Sequence, residues 1–181
     1  QIASALNEAL SKGSSCEEKS HLLNAFKDRE IYLIDLDNIL RDDADIRFLA
    51  HRMTVVAEAV VNAGVELAHS TLTQRYGTPR TVAGLPASFA VFGLGKLGGA
   101  ALGYASDIEL LFIYGDGGTT SGPQQITNAE YFERLVEEFT NHIQARREGV
   151  FTIDLQLRPY GKDGALACSL ERFCEYYGAQ G

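Results

Sequence analysis

The sequence predicts an α+β protein: a small mixed β-sheet core with packed helices, preceded by a helical segment. Three observations predict it. Apolar residues recur at every third and fourth position through much of the first half. After residue 86, short β-branched and aromatic runs separated by glycines replace that period. Those runs then read strand, loop, strand, helix, strand, which is the pattern of a mixed sheet with helices laid on it. The expected organisation is a helical segment over 1–85 packed on a core over 86–181. A chain of 181 residues is long enough for one sizeable core.

The elements follow in order. Residues 2–10 read as a short helix that ends in a Lys-Gly-Ser-Ser loop. Residues 17–40 are helix-compatible through Leu22, Leu23, Phe26, Ile31 and Ile34, although 31–36 also fits a strand, since short apolar runs are ambiguous. Asp42, Asp43 and Asp45 offer N-caps for the next helix. From Ile46, the residues Leu49, Met53, Val56, Val60, Ala63 and Leu67 make one helical face to about Tyr76, where Gly77-Thr78-Pro79 stops it. Residues 87–92 form a buried strand, 93–99 a glycine loop, 100–104 a short helix or turn, and 108–114 a second buried strand. The polar stretch 115–122 reads as a mobile loop. A helix runs from Thr127 to Arg147, with Thr127 and Glu130 as a capping box and Gly149 as its stop. Residues 150–157 alternate as a third strand, which puts Asp154, Gln156 and Arg158 on one face. A turn over 161–164 and a last helix capped by Ser169 and running through Tyr177 complete the chain.

Composition excludes several classes. The formal charge is −8, which argues against a broad basic nucleic-acid groove but not against a nucleotide escorted by a metal ion. No apolar run approaches the ~20 residues that span a bilayer, so a soluble, cytoplasmic protein without membrane association is expected. Three cysteines with no Cys-x-x-Cys indicate neither a disulfide framework nor a zinc site. The four histidines lack ligand spacing, and nothing marks Cys168 as a nucleophile. The start at Gln1 and the stop at Gly181 point to a piece of a longer protein.

Gly93-Leu-Gly95-Lys96-Leu-Gly98 after a strand matches the spacing of a dinucleotide-binding turn. The long crossover helix that such a turn requires is absent, because Gly99 and Gly103 follow at once. A P-loop also fails, since Leu97 follows Lys96 where Ser or Thr is needed. What remains is a glycine loop whose backbone can approach phosphate oxygens, with Lys96 at its tip. The alternative is a tight turn that serves packing alone.

Ser106-Asp107-Ile108-Glu109 sets two carboxylates at i and i+2, on one side of a buried strand. Like charges there are costly without a cation, and carboxylate oxygens suit Mg²⁺ or Mn²⁺. Asp154 lies inside another apolar strand. If the two strands are neighbours, Asp107, Glu109 and Asp154 converge on a site for one or two metals, with Asp154 as general base. Arg158 and Lys162 stand just beyond and suit phosphate charge. The plainer readings are that Asp107 caps a turn, Asp154 pairs with Arg158, and Lys162 lies in a solvated turn.

These three motifs, in this order, resemble the bifunctional glutamine synthetase adenylyltransferase/adenylyl-removing enzymes, a family of nucleotidyltransferases with a DNA-polymerase-β-like core. The similarity extends upstream through Phe26–Glu30 and 57–79 and downstream through 169–181. It implies a Mg²⁺- or Mn²⁺-dependent transfer of AMP between ATP or ADP and a tyrosine of glutamine synthetase, which regulates nitrogen assimilation. Asp107, Glu109 and Asp154 match the family's metal-binding acids. Gly95, Lys96, Gly98, Gly99 and Ser106 match its nucleotide loop, and Arg158 its Leu-Arg-Pro arginine. The sequence departs from the pattern at Glu109, where Asp is usual, at Ala100-Ala101, where Arg-Glu is usual, and at Gln156, where Arg is usual. Family members carry two such domains, one attaching AMP and one removing it. Tyr176-Tyr177 with Gln180-Gly181 is similar to the removing half, and Leu102-Gly103-Tyr104 to the attaching half. The departures motivate a rival, a catalytically weak module that binds nucleotide or a nitrogen-signalling regulatory protein.

Overall fold

The computed structural model describes residues 1–42, 45–145 and 151–178. Three helices open it: α1 (Ile2–Leu10), α2 (Cys16–Leu40) and α3 (Ile46–Tyr76). The Ser15 side chain accepts from the Glu18 amide and starts α2. The ambiguous run 31–36 is therefore helical, with Ile31 and Ile34 turned into the core. Asp45 caps α3 by accepting from the Arg47 amide, while Asp43 lies outside the described residues. At the far end the Gly77 amide donates to the Thr73 carbonyl.

The sheet is built on β3 (Ile108–Tyr114). On one side it pairs antiparallel with β2 (Phe89–Gly93). On the other it pairs parallel with two short strands in succession, β5 (Ile153–Asp154) and β6 (Ala167–Ser169). A long amphipathic helix, α5 (Asn128–His142), lies across the inner face of the sheet against α3. Thr127 caps it by accepting from the Glu130 amide. The aromatic rings of β3 and α5 interlock there, Phe112 with Phe139 at 5.4 Å and Tyr114 with Phe132 at 4.9 Å between centroids. One buried apolar cluster runs from α1, α2 and α3 through α5 to the inner face of the sheet. The chain is thus α+β.

Several expectations need correction. The stretch 115–122 is not a loop throughout: β4 (Gly118–Thr120) pairs antiparallel with β1 (Pro79–Thr81), so the helix-stopping proline and the polar stretch zip together. Within the glycine loop, Gly95–Gly98 closes one helical turn, α4. Of the two readings of 100–104, the helix is absent: the stretch is irregular with a turn at each end. Helix α5 ends at His142; Arg147, Gly149 and Val150 lie outside the described residues. The third strand is far shorter than 150–157. Asp154 Oδ1 accepts from the Gln156 amide at 2.7 Å, which turns the chain out of the sheet after two paired residues. Gln156 and Arg158 therefore do not share a strand face with Asp154. The chain returns to β3 only at β6, an element with no clear sequence signal, where Glu133 Oε2 accepts from the Leu166 and Ala167 amides. Ser169 then caps α6 (Leu170–Gly178), its hydroxyl accepting from the Arg172 amide. Of the tail, Gln180 and Gly181 are outside the described residues.

Candidate active site

Alternation along β3 divides its side chains. Ile108, Leu110, Phe112 and Tyr114 join the core, while Glu109, Leu111 and Ile113 face the opposite, outer side. Glu109 is the register partner of Asp154 on β5. Directly opposed residues on paired strands point to the same face, so the two carboxylates stand side by side, one strand spacing apart. Asp107, exposed and two residues before Glu109, lies just ahead of the strand.

The glycine loop lies directly against this row. Gly95 has φ +51, and a Cβ built there would sit 1.5 Å from Glu109 Oε2. Glycine at 95 is thus favoured by its left-handed backbone, and a side chain there would have to push the Glu109 carboxylate aside. A Cβ at Gly98 would come within 2.5 Å of the Gly93 carbonyl, so the turn is folded back tightly on β2. The amides of Gly98, Gly99, Ala100 and Ala101 donate to the carbonyls of Leu94, Gly95, Leu97 and Lys96. Lys96 itself is exposed. Ser106 is buried and ties the next turn: its hydroxyl accepts from the Gly103 amide at 3.0 Å, just before Asp107.

Arg158 is committed to its own loop. Its guanidinium donates to the carbonyls of Leu155, Lys162 and Gly164, closing the excursion between β5 and β6. Lys162 lies exposed in the short 3₁₀ turn Gly161–Asp163 of the same excursion. Farther along the outer face, an apolar hollow opens among Phe92, Leu94, Leu111, Ile113, Leu170 and Phe173. On the same face Cys168 is the register partner of Ile113, and burial pushes its thiol up, which does not favour a nucleophile. His21 and His51 are exposed, while His69 stacks on Phe89 and His142 lies buried beside Cys16.

The donor chemistry suits a hard divalent cation: carboxylate oxygens on one face, two of them in cross-strand register. Among the described residues, no group of three or more His, Cys, Asp or Glu side chains is gathered into a cage for an ion. Asp154 Oδ1 is engaged by the Gln156 amide, so an ion would be met by the row of acids rather than by a closed cluster. Among the described residues, no helix is long and apolar enough to cross a membrane.

The glycine loop and the central acidic pair were visible in the sequence. The contact between Gly95 and Glu109 was not, because it joins residues 14 apart through the fold. The internal role of Arg158 was also missed, and the Pro159 and Gly164 that flank its loop were the available signal.

Comparison with known proteins gives an independent finding. The family model for glutamate-ammonia ligase adenylyltransferase matches residues 1–181. Among similar proteins is one from Aromatoleum aromaticum, 39% identical over 140 residues, covering 76% of this chain and 15% of that protein. Another, from Burkholderia mallei, is 35% identical over 182 residues, covering 97% of this chain and 20% of that protein. A third, from Nitrosococcus oceani, is 34% identical over 180 residues, covering 97% and 18%. All three carry the name bifunctional glutamine synthetase adenylyltransferase/adenylyl-removing enzyme. The chain spans 15–20% of the length of these relatives.

Proposed function

The chain belongs to the glutamate-ammonia ligase adenylyltransferase family, and from that premise we propose that it is a nucleotidyltransferase domain that attaches AMP to, or removes it by phosphorolysis from, a tyrosine of glutamine synthetase. The observation that carries the reading is the Glu109–Asp154 cross-strand pair lying under the Gly95 backbone. Asp107, Glu109 and Asp154 are the residues to hold Mg²⁺ or Mn²⁺. Bound there, the metal supplies charge neutralisation for the phosphates of ATP or ADP.

The chain's own groups do the rest. Asp154 takes the proton from the attacking oxygen as general base. Lys96, at the tip of the α4 turn, meets phosphate charge, together with the opening residues of that turn at Gly95. Gly98 and Gly99 serve by letting the turn fold flat, since their amides are spent inside it. Ser106 fixes the departure of Asp107 from the preceding turn. Arg158 and Lys162 sit on the loop that leaves Asp154; Arg158 shapes that loop, and Lys162 presents its ammonium to the nucleotide. The protein partner is glutamine synthetase, met in the cytoplasm and without nucleic acid.

A second reading rests on the same face. The acids are not gathered into a cage, and Ala100, Ala101 and Gln156 supply no charge, which suits a module that binds nucleotide or a nitrogen-signalling protein without turnover. One assay separates them: transfer of labelled AMP to glutamine synthetase, and its phosphate-dependent release, with Mg²⁺ or Mn²⁺, for wild type and Asp107→Ala. Turnover lost in the variant supports the enzyme. Equal signals from both proteins sink it, and nucleotide binding without turnover in wild type favours the module.

A further inference from the structure

Where α5 ends and the carboxylate strand begins, an ammonium group is buried. Lys27, on α2, is 1% exposed. Its Nζ donates to the Gln144 carbonyl at 2.5 Å, lies 3.1 Å from Asp28 Oδ1, and sits over the Phe151 ring, 5.4 Å from its centroid. These three partners match the three donors of an ammonium. Two of them, Gln144 and Phe151, are the chain on either side of residues 146–150. One turn earlier on the same face of α2, Asn24 donates to the His142 carbonyl and accepts from the Gln144 amide, and Ser20 also donates to the His142 carbonyl. Ser20, Asn24 and Lys27 thus form a polar stripe at i, i+4 and i+7 that receives the end of α5.

The strand that follows is short, and of its two residues Ile153 packs against the core. β5 has two residues in register with β3, and a slip by one would turn Asp154 to the inner face. Ile153 and Leu155 on the core side favour the observed register, and two paired residues leave room for support from the chain that precedes them. Phe151, directly upstream, is buried and holds φ +58, a left-handed backbone that a bulky residue keeps only when its surroundings impose it. From there the Thr152 carbonyl accepts from the Ile108 amide at 2.8 Å, and Asp154 falls opposite Glu109. A buried ammonium costs more desolvation than an apolar side chain of its size, so packing alone does not account for Lys27.

We propose that Lys27 is a positioning residue for the carboxylate pair: by gripping Gln144 and covering Phe151, it fixes the register that sets Asp154 beside Glu109. The inference rests on the reading of that pair as a cation site. It is tested in the intact protein with Lys27→Met, which keeps the length and apolar stem but loses the donors, and with Lys27→Arg, which keeps the charge. Mn²⁺ binding is followed by electron paramagnetic resonance of the free ion, β5 docking by exchange of the Ile108 amide, and folding by thermal melting. Folded Lys27→Met is expected to bind Mn²⁺ roughly 10-fold more weakly and to exchange Ile108 faster, with Lys27→Arg recovering part of both. Unchanged Mn²⁺ affinity and unchanged Ile108 exchange in the folded variant overturn the proposal. Should Lys27→Met fail to fold, Phe151→Leu decides: the same two shifts support the proposal, and neither shift overturns it. Asp154→Asn is the control for the underlying reading. If it binds Mn²⁺ as tightly as wild type, the cation site is wrong, and exchange at Ile108 alone then decides the role of Lys27.

Discussion

The two faces of β3 are made of alternating residues of one seven-residue strand, yet they do opposite work. The inner face, Ile108, Leu110, Phe112 and Tyr114, is locked against α5 by aromatic contacts and belongs to the buried cluster that includes α3. The outer face starts with Glu109, with Asp107 just ahead of the strand, and continues into an apolar hollow that α6 borders only in part. Folding free energy comes from removing the first face from water. The second keeps acids in a row whose mutual repulsion adds nothing to stability without a cation. A period of two lets one strand carry both tasks, because neither set of side chains reaches the other.

Changes that strike one face and spare the other test that division. The largest expected effect is on chemistry. Asp154→Asn keeps the side-chain shape but removes the proposed base, and kcat for AMP transfer or release should fall by about 10²–10⁴. Its melting temperature should move little; a large fall in stability would show that the outer face also holds the fold. The mirror experiment is Phe139→Ala, which empties the aromatic contact with Phe112 and should cost about 3–5 kcal/mol in a denaturant titration. Substrate KM in the fraction that remains folded should be close to wild type.

Gly95→Ala joins the faces, since it forces a Cβ into the Glu109 carboxylate and strains a left-handed backbone. It should lower stability by about 1–3 kcal/mol and lower Mn²⁺ affinity in the same variant. Loss of one without the other would uncouple the loop from the acid. The smallest effect is pH dependence from the packed side. Burial depresses the pKa of His69 and His142 below the ordinary 6.5. The unfolded chain then binds more protons, so stability is full above about pH 6.5 and declines as pH falls toward the lower folded values. Urea midpoints from pH 7.5 to 5 should show the decline, and His69→Gln with His142→Gln should flatten it.

Much of this was legible beforehand, for identifiable reasons. Helix α3 was readable because its apolar period runs uninterrupted and its ends carry an Asp cap and a Gly-Thr-Pro stop. The strands β2 and β3 were readable because β-branched and aromatic residues cluster between glycines, but β2 is an edge strand of half-buried and exposed residues and not the buried strand expected. The last strand misled, since alternation through 150–157 was real but Asp154 spends a carboxylate oxygen on the Gln156 amide and ends the ladder. The ribbon of β1 and β4 was hidden because neither strand is apolar and their pairing spans 37 to 41 residues.

For the site, the sequence by itself determined the chemical inventory: a glycine loop, a carboxylate pair two residues apart, a third acid in an apolar setting, and two cations beyond it. Local spacing suffices for that, because i and i+2 share a strand face whatever the strand packs on. Only the tertiary structure decided that Asp154 stands opposite Glu109, that Gly95 lies against the Glu109 carboxylate, that Arg158 is consumed by its own loop, and that Lys27 reaches both sides of the chain leading to β5. Each of these joins residues through space, and no periodicity along the chain encodes which distant backbone will close on a given side chain.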